Sequence, residues 1–113
     1  MQTKVSELNL EYGNPTVESA LQKMKNALTT FKGQGYKAII IIHGYGSSGV
    51  GGGIKTAVRT CLSTSSMSGI VRMVFNGESW GYNKKTAISF CKQLEEHQRR
   101  ILGNEGVTVV ILK

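Results

Sequence analysis

Apolar residues recur along this chain in two rhythms, and the switches between them mark out the elements. Leu8 and Leu10 share one face of an alternating run, so Val5 to Leu10 reads as a short strand. Val17, Ala20, Leu21, Met24, Leu28 and Phe31 then fall at helical spacing. Asn14, Pro15 and Thr16 supply start signals for that helix, and Gly33 and Gly35 end it. Tyr36 to His43 carries consecutive isoleucines, the mark of a central strand covered on both faces. Ile54, Ala57, Val58, Cys61 and Leu62 predict a second helix from near Gly53 to Ser63. Ile70 to Phe75 is the third strand. Ala87, Ile88, Cys91, Leu94 and Ile101 predict a third helix over Lys84 to Leu102, stopped by Gly103 to Gly106. Val107 to Leu112 is the last strand. The order β-α-β-α-β-α-β predicts an α/β sandwich with a mostly parallel or mixed sheet, in one domain over residues 1–113.

The join between the second strand and the second helix carries the candidate chemistry. Six of the ten residues from Gly44 to Gly53 are glycine. A glycine-rich loop leading into a helix presents backbone N–H groups and the positive end of a helix dipole, which suits a phosphate or another anion. Gly44, Tyr45, Gly46, Ser47, Ser48 and Gly49 are the expected cradle. Lys55 and Arg59, one turn apart on the following helix, face it. His43 sets a titratable ring at its rim. Tyr45, Trp80 and Tyr82 are candidate platforms for unpaired bases. Lys85, Lys92 and Arg99 recur every seven residues on the third helix, where Glu95 with Arg99 and Glu96 with Arg100 are spaced as ordinary ion pairs.

Charge narrows the partners. Fourteen Lys and Arg stand against seven acids, a net charge of +7, which favours anionic partners: nucleic acid (DNA or RNA), nucleotides or an anionic membrane. All seven acids are Glu. The lack of Asp excludes a Walker-B site, an Asp-based two-metal nuclease centre, an Asp-containing serine triad and an EF-hand loop. Gly53-Ile54-Lys55-Thr56 approaches a phosphate-loop signature, but Ile54 breaks the Gly-Lys adjacency. Cys61 and Cys91 are isolated, without zinc spacing, and read as small buried hydrophobes. No apolar run approaches a membrane span and no signal segment is evident, so the expected setting is the cytoplasm, with no membrane partner.

Three stretches resemble the small MutS-related (Smr) domain family. Leu8-Asn9-Leu10-Glu11 with Thr16-Val17-Glu18-Ser19-Ala20-Leu21 is similar to the family's opening L-D-x-H strand and T-V-E-E-A-L helix start. Ile41-Ile42-His43-Gly44-Tyr45-Gly46-Ser47-Ser48-Gly49 is similar to its I-I-H-G-x-G-S-G loop, with Ala57-Val58-Arg59 following. Gly106 to Val110 resembles its closing G-V-T-V-V strand. The resemblance implies a two-layer sandwich: a four-stranded mixed sheet with two helices on one face. It also implies nucleic-acid binding, with DNA nicking or RNA cleavage. Against that pattern, Asn9 stands at the acid position and Glu11 at the histidine position, and residues 79–104 form a helical insertion before the last strand.

The expected function is therefore a nucleic-acid-binding domain with altered or weakened endonuclease activity. In that chemistry Glu11 and His43 are the catalytic pair: one takes a proton from water or a 2′-hydroxyl and the other protonates the leaving oxygen. The loop amides and Lys55 stabilise charge growing on phosphorus. No cofactor is indicated, since one His and one Glu are too few ligands for a strong divalent-metal site. The alternative is a non-catalytic interaction module. All-apolar strands need cover on both faces, and two helices protect only one. Either the third helix fills the gap or a second copy does, as a homodimer across Ile40 and Val109.

Overall fold

The structure is a computed structural model and describes residues 4–13, 16–44 and 49–113. Along the chain run β1 (Lys4–Asn9), α1 (Val17–Gly33), β2 (Tyr36–Ile42), α2 (Gly49–Leu62), β3 (Val71–Asn76), α3 (Trp80–Phe90), α4 (Gln98–Ile101) and β4 (Val107–Leu112). Single 3₁₀ segments occupy Ser65–Met67, Gly77–Ser79 and Lys92–His97. The four strands form one mixed sheet in the order β1-β2-β4-β3. β1 and β2 are parallel; β4 runs antiparallel to both β2 and β3.

Side-chain alternation divides the strands between two cores. Ile39 and Ile41 of β2, with Val110 and Leu112 of β4, pack under α1 and α2 against Met24, Leu28, Ile54 and Val58. Ala38, Ile40, Val109 and Ile111 face the other way, onto Trp80, Ala87, Cys91, Leu94 and Ile101. The isoleucine run of β2 is thus explained: each face has its own apolar cover. Full burial of each such aliphatic side chain contributes about 1.5–3 kcal/mol. Thr16 starts α1 by accepting a hydrogen bond from the Ser19 N–H at 3.1 Å.

The expected two helices lie on one face. The inserted segment packs on the opposite face, so the sandwich has three layers rather than two. This also removes the ground for a homodimer, because Ile40 and Val109 are covered by the chain's own residues.

The single helix expected over Lys84–Leu102 is instead α3, a 3₁₀ segment and the short α4. The break falls at Cys91, whose backbone is extended (φ −147°, ψ 98°) and whose side chain is fully buried. Sheet geometry demands it. Asn76 at the end of β3 is the register partner of Thr108 at the start of β4. A chain that leaves one strand end and returns to its neighbour must go out and come back. An unbroken helix of that length would finish at the far end of the sheet. Lys85, Lys92 and Arg99 therefore sit on three different elements rather than on one helical face. Arg100 pairs with Glu7 on β1, not with Glu96.

The return is closed by Gly103, whose N–H donates to the Gly77 carbonyl at 3.1 Å. Gly77 can only be glycine, since a Cβ there would collide with the Asn104 carbonyl oxygen.

Candidate functional site

The carboxyl ends of β1, β2 and β3 and the start of β4 converge on one edge of the sheet. Crevices at such strand ends are where open α/β sheets bind their ligands. Glu11, His43, Gly44, Glu78 and Thr108 all lie there, and α2 brings Lys55 and Arg59 down to them.

His43 follows the last residue of β2 and is fully buried. Its Nδ1 lies 3.0 Å from the Gly44 carbonyl oxygen. A carbonyl can only accept, so Nδ1 carries the proton and Nε2 is the acceptor. Nε2 takes the Thr108 hydroxyl proton at 2.8 Å. The same hydroxyl oxygen accepts from Arg59 Nε at 3.1 Å. Burial pushes the His43 pKa below its usual 6.5, with Arg59 and Lys55 adding to the effect and the Gly44 bond opposing it. The ring is neutral, and both nitrogens are engaged.

Arg59 is held as tightly. Its two terminal nitrogens each donate to a Glu78 carboxylate oxygen at 2.7 Å, a bidentate pair. Lys55 Nζ lies 3.9 Å from the same carboxylate. The Arg59 hydrogen bonds hold the Glu78 pKa down to about 2. One carboxylate thus offsets two of the cations expected to face a phosphate.

Gly44 adopts φ +84°, a conformation that favours glycine. A Cβ there would stand 2.5 Å from Glu11 Oε2, so the Glu11 carboxylate lies directly over this glycine. The Gly44 and His43 N–H groups both donate to the Gly106 carbonyl, which ties the loop to the start of β4. Glu11 is oriented from below by Asn9. The Asn9 side-chain oxygen accepts from the Glu11 and Tyr12 N–H groups at 2.9 and 3.0 Å, an Asx turn that ends β1. Lys23 adds a cation to this corner, donating to the Asn9 carbonyl at 3.1 Å.

A sequence model described as the Smr domain matches residues 13–113. The chain belongs to the Smr domain family. The match begins after Glu11, so the altered opening strand lies outside it. Among solved structures, the chain is similar to the Smr domain of Thermus thermophilus MutS2. That match has 23% identity and a TM-score of 0.57, and it covers 98% of this chain and 99% of the other. At that identity the likeness is one of fold. No protein with a curated description matches this chain.

The Smr family is one with nucleic-acid binding and nuclease activity, which sets the general kind of function. Of the expected site residues, this Smr domain brings together His43, Gly44, Glu11, Lys55 and Arg59. Tyr45, Gly46, Ser47 and Ser48 lie outside the described residues. Gly49 begins α2, so the glycines from Gly49 to Gly53 are helix rather than loop. The first amides of that helix have no acceptor within it. Trp80 is not a surface platform. It is fully buried, with its indole N–H toward Gln98 at 3.4 Å. Glu78 and Thr108 were not expected in the site. Each meets its partners only through the fold, Glu78 across 19 residues to Arg59 and Thr108 across 65 to His43. Among the described residues, no three His, Cys, Asp or Glu side chains group as metal ligands, and no helix is long and apolar enough to cross a membrane.

Proposed function

We propose that this Smr domain binds nucleic acid along the strand-end edge and that its capacity to cleave a phosphodiester is weak. Binding would rest on Lys55, Lys23 and the first amides of α2, which have no acceptor within the helix, reinforced by the net charge of +7. The observation that carries the reading is the state of His43. A general acid or base needs a nitrogen that can reach the substrate's proton. Here the ring has no exposed surface, and its one lone pair is taken by Thr108. His43 acts instead as a positioning residue that fixes the Gly44 turn. Glu11 is exposed beside that turn and is the group with access to a substrate hydroxyl or water. Acting without an imidazole partner, it would support slow cleavage.

Titrating labelled oligonucleotides with the protein at several salt concentrations tests this. The reading requires log affinity to fall linearly with log salt, and Lys55→Ala to lower both affinity and slope. Lack of binding at low salt overturns it.

A further inference from the structure

Two tyrosines stand almost free in solvent. Tyr12 is 85% exposed and Tyr82 93% exposed. Among the described residues, neither ring has an aromatic or cationic partner; those contacts involve Phe31, Tyr36 and Phe90. Both lie at the strand-end edge, on opposite sides of it. Tyr12 follows β1 at one margin of the sheet, and Tyr82 sits in the first turn of α3, just past β3 at the other. Three interstrand spacings, about 14 Å, separate those margins. Glu11, Gly44 and Lys55 lie between.

Both rings hang from a fixed backbone. The Tyr12 N–H is held by the Asn9 Asx turn. The first turn of α3 is tied down where the Asn83 side chain donates to the Ser79 carbonyl at 3.2 Å. Beside Tyr82, Leu102 is 61% exposed and packs over Gly81. Lys84 and Lys85 follow on the same helix, both exposed. A flat aromatic face on a rigid mount, next to cations, fits a nucleobase above and its phosphate alongside. Paired bases inside a duplex are stacked on one another and cannot offer that face.

We propose that Tyr12 and Tyr82 are stacking platforms for unpaired nucleobases, so that the ligand of this edge is a single strand rather than a duplex. This rests on the nucleic-acid reading given above. The two platforms would splay a strand across the site and lay its backbone over Gly44 and Lys55.

The test compares the whole chain with Tyr12→Ala, Tyr82→Ala and the two Tyr→Phe variants. The probes are labelled oligo(U), oligo(dT) and a duplex of equal length. Each alanine should weaken binding to single strands by about tenfold. Phenylalanine should restore it, with duplex affinity and salt slope unchanged. Tighter binding of either oligo(U) or oligo(dT) supports the proposal and names the source of the bases. Single-strand affinity that survives both alanines, or losses equal for strand and duplex, overturns it. Wild-type protein that binds none of the probes sinks the nucleic-acid reading itself, a separate failure. Both side chains are exposed, so the unfolding midpoints should match wild type and keep the comparison clean.

Discussion

The Nε2 atom of His43 accepts the hydroxyl proton of Thr108 at 2.8 Å, and that hydroxyl in turn accepts from Arg59. This joins β2, β4 and α2 at the site, and the Arg59–Glu78 pair extends it to the end of β3. Thr108→Val keeps the volume but deletes the junction, leaving His43 Nε2 and Arg59 Nε unpaired in a buried setting. We expect a loss of about 1–3 kcal/mol in urea denaturation. An unchanged midpoint would show that the network contributes nothing to stability.

Stability should fall with acid in two stages. His43 titrates near 6.5 in the unfolded chain and lower in the fold. Between those values the unfolded chain binds more protons, so stability drops as the pH falls below 6.5. Glu78 is ordinarily near 4.5 and is held to about 2 in the fold. Its contribution is present above 4.5 and is lost as the pH falls from there toward 2. Urea midpoints measured against pH read both stages. Glu78→Gln should flatten the lower stage and, by removing a carboxylate that opposes the lowering of His43, keep or deepen the upper one.

Glu78 also offsets Lys55 and Arg59 where a phosphate would otherwise meet them. Removing its charge with Glu78→Gln should raise affinity for an oligonucleotide severalfold at low salt. The slope of log affinity against log salt should steepen by up to about one. Anisotropy titrations at graded salt measure both. Weaker binding by a folded Glu78→Gln protein would mean that Glu78 holds Arg59 in a productive pose rather than competing with the ligand.

Trp80 anchors the inserted segment over the second face of the sheet, fully buried. Trp80→Ala should cost about 3–5 kcal/mol. With that face loosened, the apolar surface at Ile40 and Val109 becomes available to other copies. Light scattering should therefore report association of the variant and not of wild type.

Much of the frame was legible in the sequence because local signals and tertiary demands agree there. Val107 to Leu112 is the last strand by both routes, and α1 starts at Thr16 and stops at the glycines as its caps direct. A run of glycines lacks helical propensity, so the sequence points to a start for α2 near Gly53; the helix nonetheless starts at Gly49. The third helix misled differently. Its apolar spacing suits a continuous helix, and only the adjacency of β3 and β4 forces the break at Cys91. At the candidate site, His43, Gly44 and Lys55 are legible together because one short stretch, from the end of β2 into α2, carries all three. Glu78 and Thr108 could not, since their roles exist only once distant strand ends are brought together. Trp80 and Tyr82 are two residues apart in one segment, yet one is core and the other solvent-facing, a difference set by which side of α3 meets the sheet.

One gel bears most directly on the central claim. Labelled single-stranded RNA and supercoiled plasmid are each incubated with the wild-type protein, with and without magnesium or manganese, beside a His43→Asn variant. The account predicts a mobility shift that salt removes, with RNA and plasmid left largely intact. Rapid nicking or RNA cleavage by the wild-type protein would contradict it. Its loss in a His43→Asn protein that keeps the wild-type unfolding midpoint and oligonucleotide affinity would point to His43 as the reacting group rather than the residue that positions the Gly44 turn.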